Sequence, residues 1–141
     1  MELSDMFKVC GSALSVQRAR MDVITSNLAN SDVTRTVGGG PYRKKILVLA
    51  SEPVRDGFGD TLRDAMKTVK VEAVVEDASP PKMVFNPSHP DADPGGYVAM
   101  PNINVMTEMA EMVVVGRAYE AMVTAFDATK NMALKTLEMG K

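Results

Sequence analysis

Tryptophan is absent from this 141-residue sequence, aromatic residues make up 5% of it, and cysteine and histidine occur once each. A core made from such material is short of large rigid anchors. A single cysteine excludes an intramolecular disulfide, and a single histidine leaves little for a zinc centre. A dominant charge of one sign is lacking too. The formal net charge is -2, whereas nucleic-acid binding calls for a net basic face. No apolar run approaches the ~20 residues of a membrane span. Met1 to Cys10 mixes acids with its hydrophobes and lacks the basic start and apolar run of a cleavable signal peptide. What the chain does have is 45% hydrophobic residues and 12 methionines, more than its Phe and Tyr together. Methionine favours contacts that re-pack easily.

Proline and glycine divide the chain into three parts, 1–36, 37–100 and 101–141. From Leu3 to Asn30 there is no Pro, and Gly11 is the only Gly. Leu3, Phe7, Cys10, Leu14, Met21, Ile24 and Leu28 recur at alternating spacings of four and three, with Gln17 as the polar exception. That period predicts a helix with one apolar seam. A second row of Met6, Val9, Ala13, Val16 and Val23 widens it. Ser4 suits the start as a cap, and Asn30 suits the stop because Asn tolerates left-handed backbone. Val105 to Leu137 is likewise free of Pro and predicts a second helix, with the seam Val105, Met109, Met112, Gly116, Tyr119, Val123, Phe126, Ala133 and Leu137. Lys130 is the one charge in register, and Gly116 leaves room for a neighbouring backbone. Asn102 or Asn104 opens this helix and Gly140 closes it. Each helix is roughly 45 Å long, which suits an antiparallel or staggered coiled-coil stalk.

The middle part holds seven of the eight prolines up to Met100 and reads as a small β-rich insert, so the expected class is α+β. Lys45 to Leu49, Val69 to Val75 and Lys82 to Phe85 are its strand candidates, and Gly57 to Lys67 reads equally as loop or short helix. Asn86-Pro87, His89-Pro90 and Asp93-Pro94-Gly95-Gly96 impose turns. Chemistry is scarce. His89, Asp91 and Asp93 cluster, but in a proline-rich loop without the further ligands of a metal site or the pattern of a calcium loop. Gly38-Gly39-Gly40 has no strand before it and no Lys-Ser/Thr after it, so a flexible connector is expected rather than a phosphate cradle. Arg43-Lys44-Lys45 reads as a solvated strand start, with an acidic protein neighbour as the sharper option. Cys10 lies on the apolar seam without a base beside it in sequence, as a buried spacer. No catalytic, cofactor or metal residues are expected, and the chain is read as a non-enzyme.

The two apolar stripes exceed what a simple helix pair covers, and wet apolar surface costs about 25 cal/mol per Å². An insert of some 70 residues is small against a stalk ~45 Å long. Assembly with other chains follows, with order in the helices gained partly on docking. Two rivals belong to other classes. One is a helical adaptor or chaperone-like module that grips clients with the methionine-rich helix. The other is a hydrolase using His89, Asp91 and Asp93.

One resemblance runs through nearly the whole chain. Ser26-Asn27-Leu28-Ala29-Asn30-Ser31-Asp32-Val33-Thr34-Arg35-Thr36, at the end of an amphipathic helix, resembles the amino-terminal motif of the flagellar rod, hook and basal-body axial proteins. Gly39 to Lys45, Val75-Glu76-Asp77, Asn86 to Asp93, Gly96-Tyr97-Val98, Pro101 to Val105, Glu108-Met109, Arg117 to Ala121 and Lys135 to Glu138 narrow it to the FlgC-like proximal rod proteins. Val33, Met122 and the longer Gly38 to Gly40 run depart from the usual pattern. The resemblance implies a structural subunit of a tubular drive shaft that transmits torque, with paired terminal helices packed around a channel and the middle segment facing outward. Its motif residues are Asn27, Ala29, Asn30, Thr34 and Thr36. The implied partners are other copies of the chain, neighbouring FlgB-, FlgF- and FliE-like rod proteins, and the flagellar type III export apparatus. The implied location is the basal-body rod in the periplasmic space.

Overall fold

The computed structural model describes residues 3–53 and 67–139. Helix α1 spans Leu3–Ala29 and helix α2 spans Val105–Met139; between them lie strands β1 (Lys45–Pro53), β2 (Lys67–Glu76), β3 (Lys82–Phe85) and β4 (Tyr97–Met100). This is the α+β arrangement that the period and punctuation predict, with β4 as the one strand they did not single out. Residues 57–66 of the undecided stretch lie outside the described residues, and Lys67 opens β2.

The helices pair antiparallel. Phe7 and Phe126 meet edge to face with ring centroids 5.2 Å apart, and at the other end Asn27 reaches Glu108. Helix α2 runs on for about three and a half turns past Phe126, whereas α1 has only about one turn before Phe7. The tip of α2 therefore outruns its partner, and Leu134, Leu137 and Met139 there are exposed.

Which side of α2 faces α1 differs from the expected seam. Glu108, Val115, Thr129 and Ala133 are buried, with Met112, Tyr119, Met122 and Phe126 half-buried between them. This row also alternates four and three. It shares Met112, Tyr119, Phe126 and Ala133 with the predicted seam but replaces Met109, Gly116, Val123 and Lys130 by Glu108, Val115, Met122 and Thr129. Val105, Met109, Val123 and Leu137 are exposed instead. Among the described residues Gly116 has nothing within 4 Å of where a Cβ would stand, so no described backbone exploits its small size. On α1, Val16 and Ile24 are buried, Phe7, Cys10, Leu14, Met21 and Leu28 are half-buried, and Leu3 opens the helix.

The middle segment forms two separate antiparallel ribbons. In the first, Lys45 pairs with Glu76 and Pro53 with Lys67; the register slips between Val48 and Leu49, leaving Glu72 as the extra residue. Such a bulge sharpens the twist of a ribbon. It lies along α1, where the Val69 amide donates to Ser12 Oγ at 3.4 Å. Among the described residues no strand packs on α2. Among the described residues the insert thus covers α1 and not the outer side of α2.

In the second ribbon Phe85 pairs with Tyr97 and Lys82 with Met100. Val98 is buried, while Phe85 and Tyr97 stack edge to face on the outside. Gly96 joins this ribbon to its loop at φ +81°, and a Cβ there would stand 2.9 Å from the Phe85 ring and 3.3 Å from Pro87. Strain and clash combine at this one position. Gly96→Ala is expected to cost about 1–2 kcal/mol, read as a lower urea midpoint.

The Gly38 to Gly40 run is a closed turn rather than a loose connector. Gly39 and Gly40 have φ of +82° and +76°, the Thr36 amide donates to Gly40 O at 2.9 Å, and the Tyr42 amide donates to Val33 O at 3.0 Å. Asn30 does not end α1 by left-handed backbone either. Its side-chain amide donates back to Ser26 O at 2.7 Å, and no described non-glycine residue has positive φ.

Candidate functional site

Three segments converge where the stalk meets the insert: the last turns of α1, residues 42–45, and the first turn of α2. The start of α2 is set by Asn104, whose Oδ1 accepts from the amides of Met106 and Thr107 at 3.1 and 3.3 Å. That cap places Glu108 in the first turn, at the favourable end of the helix dipole. Asn27 lies opposite, and both are 1% exposed.

Every hydrogen-bonding position of the Asn27 amide is used. Its Nδ2 donates to Lys45 O at 3.0 Å and to Glu108 Oε2 at 3.3 Å. Its Oδ1 accepts from the Lys45 amide at 2.9 Å and from the Tyr42 hydroxyl at 3.2 Å. Tyr42 Oη in turn lies 3.1 Å from Ser26 Oγ. The side chain therefore acts as an extra strand partner for Lys45 and pins the start of β1 to α1. An amide offers two donors and two acceptor positions, so the group is saturated.

Lys44 Nζ completes the junction 2.6 Å from Glu108 Oε1. The Glu108 carboxylate holds the Lys44 pKa above its ordinary value of 10.5, against the opposing pull of partial burial; Glu111 and Asp77 add weaker attraction. A raised pKa in the folded state stabilises the fold fully below 10.5, and that contribution is lost as pH climbs through the higher folded value. Unfolding monitored against pH should show an alkaline loss of stability above 10.5 that Lys44→Met diminishes.

A second junction ties the motif to the loop between β3 and β4. Thr34 Oγ1 donates to Asp91 Oδ2 at 2.9 Å, and Arg35 pairs with Asp91 Oδ1 at 3.3 Å. His89 Nδ1 accepts from the Asp91 amide at 3.1 Å. The Asp91 carboxylate of the His89–Asp93 cluster is thus engaged in holding the chain to itself. Thr36 Oγ1 makes weaker contacts with Gly39 O and Gly40 O, and Ala29, the last residue of α1, is exposed.

Away from α1, helix α2 presents Met106, Ala110, Val113, Val114, Ala121 and Ala128, all exposed, with Arg117 among them. Val113 and Val114 are 57% and 65% exposed. No helix among the described residues is long and apolar enough to cross a membrane.

The two ends of the stalk also match family models. Residues 7–35 match that of the flagella basal body rod protein, and residues 95–139 that of the flagellar basal body rod FlgEFG protein C-terminal. The flagellar basal-body rod protein FlgC of Bacillus subtilis is 44% identical over 94% of this chain and 95% of its own. The chain belongs to the FlgC family of flagellar basal-body rod proteins. FlgC of Yersinia enterocolitica and FlgC of Salmonella typhimurium are each 38% identical over the full length of both chains.

Within this FlgC-family chain, Asn27 lies at the centre of the stalk junction and Thr34 at the loop junction, while the Asn30 side chain bonds back to Ser26 within its own helix end. Phe7 and Phe126 are brought together. Sequence reasoning named Lys44 as part of a solvated basic cluster, and Tyr42 and Glu108 only within stretches that carry the resemblance, and gave none of the three a place in this junction. A signal for Glu108 was present: it follows the Asn104 cap by one turn, and the predicted seam had to admit Lys130.

Proposed function

We propose that the chain is a structural subunit of the flagellar basal-body rod that builds a tubular shaft by helix packing and transmits torque, with no catalytic role. The observation that carries this reading is the uncovered outer side of α2. Met106, Val113 and Val114 stand exposed on it over its first turns, with Arg117 beyond them, and the described part of the insert packs on the other helix. Contiguous exposed apolar surface marks an interaction site. Other copies of the chain and neighbouring FlgB-, FlgF- and FliE-like rod proteins are the partners that would cover it. Contacts shared around a tube spread load over many weak interactions. The stalk junction gives the insert a fixed attitude on the stalk, so force on one reaches the other through Asn27, Lys44 and Glu108. Delivery is by the flagellar type III export apparatus to the periplasmic span of the basal body.

An epitope-tagged chain in its own bacterium tests this. Purified hook–basal bodies should contain the tagged chain in the rod, and its deletion should abolish swimming. Basal bodies that lack it, in swimming cells, would overturn the reading.

A further inference from the structure

Two features of this chain have no use within it. The first is Val37. The turn over residues 36–40 puts Val37 and Gly38 at its tip, closed by the Gly39 amide on Thr36 O at 3.0 Å and the Thr36 amide on Gly40 O at 2.9 Å. Gly39 and Gly40 hold positive φ behind it. On this fixed turn Val37 is 111% exposed, so no described residue covers it. The carbonyls of Val37 and Gly38 accept nothing from a described residue, unlike those of Thr36, Gly39 and Gly40. The second is Arg117. It stands beside Val113 and Val114 on the outer side of α2 and has no partner among the described residues.

Arg117 also closes a socket. Ala110, Val113, Val114 and Arg117 are all exposed, and their spacing of i, i+3, i+4 and i+7 is that of the four-residue hole that receives a knob on a helix surface. Alanine at one corner leaves the hole deep, and the two valines make its walls apolar. With the Val37 side chain in such a hole, the turn brings its two unused carbonyls toward the Arg117 guanidinium, a permanent cation with five donors. Arg35, beside the turn, is held by Asp91 and so does not oppose this approach. Knob and socket match in apolarity and charge, yet neither is engaged within the described chain.

We propose that the 36–40 turn of one copy seats on α2 of a second copy, with Val37 in the socket of Ala110, Val113, Val114 and Arg117, and with Arg117 donating to the Val37 and Gly38 carbonyls. This inference rests on the rod reading and names the part of the neighbour that covers the outer side of α2. Because knob and socket are different surfaces, the contact runs head to tail from copy to copy, and such contacts close into rings or extend into helices. A turn that is already fixed loses little freedom on docking. The seat forms in the assembly and asks nothing of helix order in the free chain.

Disulfide capture in purified hook–basal bodies tests the seat, in a chain whose own Cys10 is replaced by Ser. Val37→Cys with Ala110→Cys brings two thiols within disulfide reach of each other only if the turn sits on the socket. After mild oxidation, denaturing gels without reductant should show a ladder at multiples of the 15.2 kDa chain, lost on reduction. Each cysteine alone should stay monomeric, and so should Val37→Cys with Met132→Cys, about six turns further along α2. Val37→Asp should lower the amount of chain in basal bodies about tenfold or more, because its carboxylate would be buried against apolar walls, whereas Val37→Ile should leave it unchanged. No ladder from basal bodies that hold the double-cysteine chain in normal amount would overturn the proposal. So would an equal ladder from the Met132→Cys pair, or capture of a different protein in place of a second copy. Should the double-cysteine chain fail to assemble, Val37→Asp decides, and normal swimming by that variant overturns the seat. Wild-type chain missing from basal bodies would instead sink the rod reading itself, so the two fail separately.

Discussion

Asn27→Ala is expected to be among the most damaging single substitutions in this protein, lowering stability by about 3 kcal/mol or more. The amide is buried and makes four hydrogen bonds, to both backbone groups of Lys45, to Tyr42 and to Glu108. Alanine leaves those partners without their amide contacts in a place water does not readily reach, and each buried unsatisfied group costs about 1–3 kcal/mol. Domains of this kind have only about 5–15 kcal/mol in total. Asn27→Asp should fare little better despite its matching shape, because it loses both donors and sets a second carboxylate against Glu108. Asn30→Ala provides the comparison. It removes a single bond to Ser26 O within the same helix end, worth about 1 kcal/mol. Urea titrations of the three variants, followed by circular dichroism, should rank Asn27→Ala well below Asn30→Ala. Equal midpoints would remove Asn27 from the centre of the junction.

Val113→Asp with Val114→Asp should leave the free chain nearly unchanged and abolish its incorporation into the rod. Both side chains are more than half exposed, and surface changes of this kind usually shift stability by less than about 0.5 kcal/mol. If that side of α2 is covered on assembly, each carboxylate must be desolvated without a partner, at about 3 kcal/mol in practice. Two such penalties weaken each subunit contact by about 10⁴-fold, since 1.4 kcal/mol is tenfold in affinity. The expected result is a soluble chain with an unaltered urea midpoint, absent from purified basal bodies, in cells that do not swim. Normal swimming by the double variant would show that assembly uses some other surface.

Much of the fold was legible because it is encoded locally. The heptad spacings from Phe7 to Leu28 and from Met112 to Phe126, unbroken by proline, announce two long helices. Short β-branched runs bounded by Pro and Gly announce strands. Asn102 and Asn104 both read as caps from their place before the apolar run, and Asn104 is the one that acts as a cap. The turn at Gly38 to Gly40 was harder, since three glycines in sequence do not say whether the backbone closes on itself. The hydrogen bonds that close it come from Val33 and Thr36, outside the run. The junction was half legible. Asn27 stood within a motif carried by resemblance, but its partners Lys45 and Glu108 lie 18 and 81 residues away.

The sequence alone determined that this chain is two apolar-striped helices around a β-rich insert, and that it belongs among flagellar rod proteins. Helical period and turn chemistry are properties of neighbours along the chain, so a linear text carries them. Only the tertiary structure decided which side of α2 is hidden, which helix the insert covers, and that Glu108 lies inside. Those outcomes depend on the rotation of one helix against another by about 50°, a difference of half a residue's turn. No local pattern along the chain announces that rotation, or the pairing of Glu108 with Lys44.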